Sequence, residues 1–224
     1  MPKSTTPKTT SPIAAALCEY GVKIARAGLV AGAGGNISAR DGDIIWMKPS
    51  GIAMDDMTPA DLCGMDLATG EQKSGPHKPT SEYAMHLGIY RNRPELNAVF
   101  HVHSPWCSGI FSSGAELKPM FAEFICDLGC VATIPYILPT SKMLADAVAK
   151  EYKKCDTLFM ENHGMIGVGA TMKQAYYRCL IVEDAAKSMV AAAVVGKPRF
   201  LTPKQQKELL SQDAVKYRIN KLKA

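Results

Sequence analysis

Two of the five histidines in this chain stand as His101-Val102-His103, at the end of the apolar run Ala98-Val99-Phe100. Strand side chains alternate, so both imidazoles face one side and Val102 the other. Two imidazoles one strand repeat apart can converge on a single cation, and imidazole nitrogen is a favoured ligand of zinc and its neighbours. Taken alone, such a pair is more often structural. His163 adds a third imidazole in Glu161-Asn162-His163-Gly164, directly after a second apolar run at 157–160. That is the loop position where open α/β sheets gather functional groups. Three histidines from two strand ends fit a catalytic metal site with an open fourth position. Metal-assisted carbon chemistry also needs a proton carrier, and Lys78-Pro79-Thr80-Ser81-Glu82 supplies a carboxylate in the first turn of an expected helix. His86 follows one helical turn later on the same face and reads as a packing or supporting residue rather than a ligand.

Three clusters of small residues could present amides and hydroxyls to an anion: Gly34-Gly35-Asn36, Pro49-Ser50-Gly51 and Thr80-Ser81. Each is also ordinary turn chemistry. The third differs because it opens a helix, where free amides and the positive dipole end favour phosphate. A phosphate held there would set the rest of a small substrate beside Glu82. Neither the phosphate-loop nor the dinucleotide glycine pattern occurs, so nucleotide binding lacks its usual supports.

These groups need elements to hold them. Apolar spacing predicts a helix over 12–27 and a hairpin of 37–40 and 43–47 about Asp41-Gly42. A second hairpin is expected to turn at Thr69-Gly70. A helix capped by Thr80 or Ser81 is expected to reach Arg91, followed by a strand over 98–103 and a short helix after Pro105. Strands over 131–134, 157–160 and 165–168 are expected around a helix over 141–154. Thr171 caps the longest helix, ending at Gly196, and Thr202-Pro203 opens a polar helix into the carboxyl-terminal tail. Interleaved strands and helices with early hairpins argue one α/β domain whose central sheet is not purely parallel.

Composition narrows the class. The 224 residues are 47% hydrophobic and 21% charged, a globular balance. No apolar stretch approaches the roughly 20 residues of a membrane span. The +5 net charge, from 26 basic against 21 acidic residues, is scattered, without the aromatic and arginine stripe that nucleic acid would call for. Seven cysteines, with no C-x-x-C pair, suit reduced thiols and a cytoplasmic protein without a disulfide framework. The polar amino terminus lacks a secretory signal's apolar region and is expected to be a disordered tail over 1–12, with the domain spanning 13–224.

Five motifs in register, G-G-N-I-S (34–38), P-S-G (49–51), K-P-T-S-E (78–82), H-V-H-S-P (101–105) and E-N-H-G (161–164), make the chain resemble the class II aldolase/adducin family, above all its L-fuculose-phosphate aldolases. The likeness runs from about residue 13 to the tail. It implies a mixed, largely antiparallel sheet flanked by helices. It implies Zn2+, or Mn2+ or Co2+ in its place, on His101, His103 and His163. Glu82 would be both a metal ligand before substrate arrives and the catalytic acid/base. Asn36, Ser50, Gly51, Thr80 and Ser81 match the family's phosphate pocket. The implied substrate is a phosphorylated sugar, a fuculose-type or deoxy- or methylthio-ketose 1-phosphate split to dihydroxyacetone phosphate and an aldehyde. Glu82, where the related 4-epimerases usually carry Asp, favours the aldolase branch over an epimerase, a sugar-acid decarboxylase or a non-catalytic adducin-type scaffold. The family implies a homotetramer with active sites between subunits. Glu123 stands where fuculose aldolases place a tyrosine from a neighbouring subunit, and Tyr217 is the candidate for their carboxyl-terminal tyrosine.

Overall fold

The computed structural model describes residues 11–128 and 131–223, so most of the expected tail over 1–12 lies outside the described residues. Helix α1 (Pro12–Arg26) begins on a proline at its first position, where the missing N–H costs nothing. The first hairpin joins β1 (Asn36–Asp41) to β2 (Ile44–Met47). Asp41 pairs with Ile44, which places the turn at Gly42-Asp43, one residue later than expected. Strands β3 (Cys63–Asp66) and β4 (Gln72–Ser74) form the second hairpin, whose turn is tied by the Thr69 N–H donating to Asp66 Oδ1 at 2.7 Å. There follow α2 (Tyr83–Asn92), β5 (Ala98–Val102), α3 (Pro105–Ser112), α4 (Ala122–Asp127), β6 (Val131–Ile134) and α5 (Lys142–Glu151). The chain then forms β7 (Thr157–Met160), β8 (Gly164–Gly169), α6 (Met172–Val195), α7 (Pro203–Ser211) and α8 (Asp213–Lys223).

The strands make one sheet in the order β4-β3-β2-β1-β5-β8-β7-β6, antiparallel throughout except for the parallel pair β6 and β7. The mixed, largely antiparallel sheet expected from the family likeness is therefore present. Strand alternation sorts β5 between two cores. Phe100 and Val102 face α1, α3 and α6 with Leu17, Ile24, Cys179 and Val182, whereas Val99 faces α2 and α5 with Tyr90, Leu144, Val148 and Tyr152. His101 lies between Phe100 and Val102 in sequence and so faces the α2 side.

Helix ends agree with the sequence in three places. Ser141, Thr171 and Thr202 each accept a backbone N–H in the first turn of α5, α6 and α7. At α2 the expectation fails: the cap position belongs to Glu82, and neither Thr80 nor Ser81 takes it. The Thr80 hydroxyl accepts the N–H of Glu82 itself at 3.3 Å, which begins the helix later and turns the Glu82 carboxylate inward. Two short helices, α4 and α8, are absent from the sequence reading. The first is only six residues long, too short to show a period, and α8, although Val215 and Ile219 recur one turn apart, falls in the segment read as a tail.

Gly21 sets the approach of α1 to the 54–57 loop. A Cβ there would lie 2.5 Å from the Met54 carbonyl oxygen, and backbone cannot swing aside. Exposed glycine in a helix interior costs about 1 kcal/mol relative to alanine, yet overpacking costs about 1–3 kcal/mol. The clash outweighs the propensity gain. Gly21→Ala is expected to lower the thermal midpoint, and a raised midpoint would show that α1 stands off from the loop.

Candidate active site

The β5 and β8 strands bring the three histidines together. His101 pairs with Ile166 and Val102 with Met165 across the ladder, so the His163-Gly164 loop lies beside the end of β5. One nitrogen from each of His101, His103 and His163 lies within 4.8 Å of the others. Gly164 makes this approach feasible, because a Cβ there would meet the Val102 carbonyl oxygen at 2.5 Å and His103 Cδ2 at 2.8 Å.

Hydrogen bonding fixes one ring's tautomer. His101 Nδ1 lies 3.0 Å from the Met165 carbonyl oxygen, which can only accept, so Nδ1 carries the proton. Its Nε2 lone pair then points at His103 Nε2, 2.9 Å away, and a proton or cation must lie between them. Burial disfavours the charged form of all three imidazoles. It pushes His101 well below its usual range, with His103 and His163 adding to the shift. Burial, then His163 and Lys48, brings His103 down to about 4. His163 is lowered by burial and partly restored by the Glu82 carboxylate. Neutral imidazole is the form that ligates metal.

Glu82 closes the group. Its Oε2 lies 3.3 Å from His101 Nε2, and its Oε1 lies 3.4 Å from His163 Nε2. Asn36 Nδ2 donates to Oε2 at 2.9 Å, while Oε1 is buried with no hydrogen-bond partner, as is His163 Nδ1. Three neutral nitrogens and an unpartnered carboxylate oxygen match the donor set of a divalent transition metal. The site is therefore suited to hold such an ion.

A cleft of about 310 Å³ opens in front of these residues, lined by His103, His163 and Glu82 together with all five residues expected for a phosphate: Asn36, Ser50, Gly51, Thr80 and Ser81. Its two loops are zipped together. The Ser50 N–H donates to the Lys78 carbonyl at 3.0 Å, and the Thr80 N–H to the Lys48 carbonyl at 3.1 Å. Gly51 has φ 78°, a left-handed backbone that a side chain would strain.

Two polar lining residues were missed in the sequence. Lys48 is buried, and its Nζ donates to the Ala33 carbonyl at 3.0 Å, while burial lowers its pKa. A lysine directly before P-S-G was the available signal. Thr140 also lines the cleft, with φ 65°, unusual for a β-branched residue. Glu123 and Tyr217 do not line this cleft within the chain. Glu123 sits on α4, where Arg218 Nη1 donates to it at 3.2 Å, and Tyr217 on α8 is 66% exposed.

The comparisons with known proteins agree with this geometry. Residues 15–190 match the family described as class II aldolase and adducin N-terminal domain. The chain is 35% identical over 158 residues to an L-fuculose phosphate aldolase of Methanococcus maripaludis, covering 70% of this chain and 85% of that one. It is 34% identical over 196 residues to a 5-deoxy-D-ribulose 1-phosphate aldolase of Bacillus thuringiensis serovar kurstaki, covering 86% and 91%. A solved structure of L-fuculose 1-phosphate aldolase superposes with a TM-score of 0.83, with 26% identity over 95% of this chain and 99% of that one. The chain belongs to the class II aldolase and adducin family. Within it, the chain is an aldolase, a carbon–carbon lyase. No helix among the described residues is long and apolar enough to cross a membrane.

His86, behind the site, gives a prediction. Burial pushes its imidazole from the usual 6.5 down to about 3. The unfolded chain takes up a proton below pH 6.5 that the folded chain refuses, so stability is full above 6.5 and falls as pH drops towards 3. One such histidine steepens the fall by at most about 1.4 kcal/mol per pH unit. Thermal midpoints measured from pH 7.5 to 4.5 are expected to fall less steeply for His86→Gln than for the parent, and parallel curves would contradict a buried neutral His86.

Proposed function

We propose that the chain is a zinc-dependent aldolase that cleaves a ketose 1-phosphate, L-fuculose 1-phosphate or a related deoxy- or methylthio-ketose 1-phosphate, to dihydroxyacetone phosphate and an aldehyde. The observation that carries this reading is the convergence of three imidazoles on one another, two of them facing the Glu82 carboxylate, at the wall of an amide- and hydroxyl-lined cleft. The named activities of the relatives support the same substrate class.

His101, His103 and His163 would hold the zinc, with Glu82 as a further ligand. When bound, the ion supplies Lewis acidity towards the substrate's carbonyl oxygen. Ser50, Thr80 and Ser81 bind the phosphate through hydroxyls and amides, with Asn36 and Gly51 completing that end and the buried Lys48 ammonium adding positive charge. With the phosphate fixed, the reacting carbons lie beside Glu82. As the carbon–carbon bond breaks, the hydroxyl on the aldehyde half loses its proton and the carbon of the ketone half gains one from Glu82. In synthesis Glu82 removes that proton again. Oε1, the oxygen without a hydrogen-bond partner, is the one free to carry it.

The chain assembles as a cytoplasmic homotetramer with sites between subunits. In that assembly Tyr217, exposed on α8, reaches a neighbour's cleft and relays the hydroxyl proton, accepting it as its own phenol proton passes to water, with Glu123 as the second candidate. The ion pairs from Arg218 to Glu123 and Asp127 tie α8 to α4 and favour an anchoring role for Glu123.

The test is incubation with L-fuculose 1-phosphate, 5-deoxyribulose 1-phosphate, L-ribulose 5-phosphate and a 3-oxo-tetronate 4-phosphate, reading each product separately. Dihydroxyacetone phosphate from either 1-phosphate is expected. An epimer or carbon dioxide in its place would overturn the reading. Glu82→Gln is expected to fold and keep its metal, because three histidines remain, and to lose ~10²–10⁴-fold in turnover. Turnover within a few-fold of the parent would remove Glu82 from the chemistry.

A further inference from the structure

Glu82 is held by a row of buried polar side chains, of which Asn36 alone also borders the cleft. Glu82, His86 and Tyr90 recur at every fourth residue along α2, and Asn36 and Ser38 at every second residue along β1. Four helical residues rise about 6 Å and two strand residues about 6.8 Å, so the two rows run in step and interleave. Asn36 Nδ2 donates to Glu82 Oε2 at 2.9 Å. Asn36 Oδ1 meets His86 Nε2 at 2.5 Å, and His86 Nδ1 meets the Ser38 hydroxyl at 2.7 Å. The Tyr90 hydroxyl lies 3.0 Å from both Ser38 Oγ and the Ser38 carbonyl oxygen. All five residues are buried.

The direction of every bond follows from one end. An ionised carboxylate only accepts, so the Asn36 amide must turn its NH2 to Glu82 and its oxygen to His86. That oxygen only accepts, so His86 Nε2 carries the ring proton and Nδ1 is bare. Nδ1 then takes the Ser38 hydroxyl proton, and Tyr90 donates to Ser38. Were His86 in the other tautomer, Nε2 and Asn36 Oδ1 would face each other without a proton, and the amide would be driven to flip its oxygen onto the carboxylate.

We propose that His86, protonated on Nε2 and locked by Ser38 and Tyr90, is a positioning residue that sets the Asn36 amide, so that Oε2 of Glu82 is held and Oε1 alone carries the proton. This rests on Glu82 being the proton carrier. It also gives Asn36 a first duty towards Glu82, with one amide hydrogen left for the phosphate end of the cleft. His86 touches neither substrate nor the three histidines' metal-facing nitrogens, so its loss acts on the reaction step, and on substrate binding only through the single Asn36 contact at the phosphate end.

The test compares two variants in the full, zinc-loaded chain, with Glu82→Gln beside them. In His86→Gln the side-chain amide reaches as far as Nε2 and can donate to Asn36. In His86→Asn it reaches only as far as Nδ1, which keeps a partner for Ser38 but abandons Asn36. His86→Asn is expected to lower kcat by ~10–100-fold with KM within about threefold, the scale on which lost supporting contacts act. His86→Gln is expected to restore kcat to within about fivefold of the parent, and both are expected to retain zinc. Equal losses in the two variants, or a loss in KM rather than kcat, would overturn the proposal. Normal kcat in His86→Asn with an inactive Glu82→Gln would overturn it alone, whereas an active Glu82→Gln would remove the reading on which it rests. A readout independent of turnover and of the variants' folding is the ring nitrogen spectrum of the histidine-labelled parent. A neutral His86 with its proton on Nε2 is expected, and a proton on Nδ1 would overturn the proposal.

Discussion

A carboxylate buried among imidazoles is the constraint on which this molecule is arranged. Removing an ionised carboxylate from water costs several kcal/mol unless donors or a cation replace the lost solvent. Glu82 receives one N–H from Asn36 and faces His101 and His163, and its second oxygen is left for a cation or a proton. The cost is therefore met only when the site does its work. A side chain in that position is poised between metal and substrate, which is the condition proton transfer needs.

The sheet supplies the rigidity. The antiparallel run β1-β5-β8 puts Asn36 opposite His101 and His101 opposite Ile166, so ligands, holder and loop are fixed by ladder hydrogen bonds. The His163 loop and the two zipped loops at Ser50 and Thr80 leave the strand ends and line the cleft. Functional groups carried on loops that a rigid sheet positions suit a cleft receiving a small phosphorylated molecule.

Much of this was legible in the sequence because it is local. H-V-H at a strand end depends only on alternation, and E-N-H-G after an apolar run depends only on strand length. The hairpins and the Ser141, Thr171 and Thr202 caps are likewise short-range. The α2 start went astray because Thr80, Ser81 and Glu82 can each occupy a cap, and the choice is made by the tertiary bond of Glu82 to Asn36, 46 residues away. The same distance hid Ser38 and Tyr90, 52 residues apart in sequence and joined only through the register of β1 on α2. Lys48 escaped for a different reason, since lysine is usually exposed and its burial is visible only once the Ala33 loop closes over it. Arg218 lies 95 and 91 residues from its partners Glu123 and Asp127, so distance in sequence hid those ion pairs too.

The claim beneath all of this is that the three histidines form one metal site. Element analysis after saturation with zinc and removal of free ion measures it directly, on the parent and on His101→Ala and His163→Ala. The account predicts about one zinc per parent chain and little in either variant, the stoichiometry of a three-histidine centre. A parent chain that emerges without metal, or variants that hold as much as the parent, would contradict it.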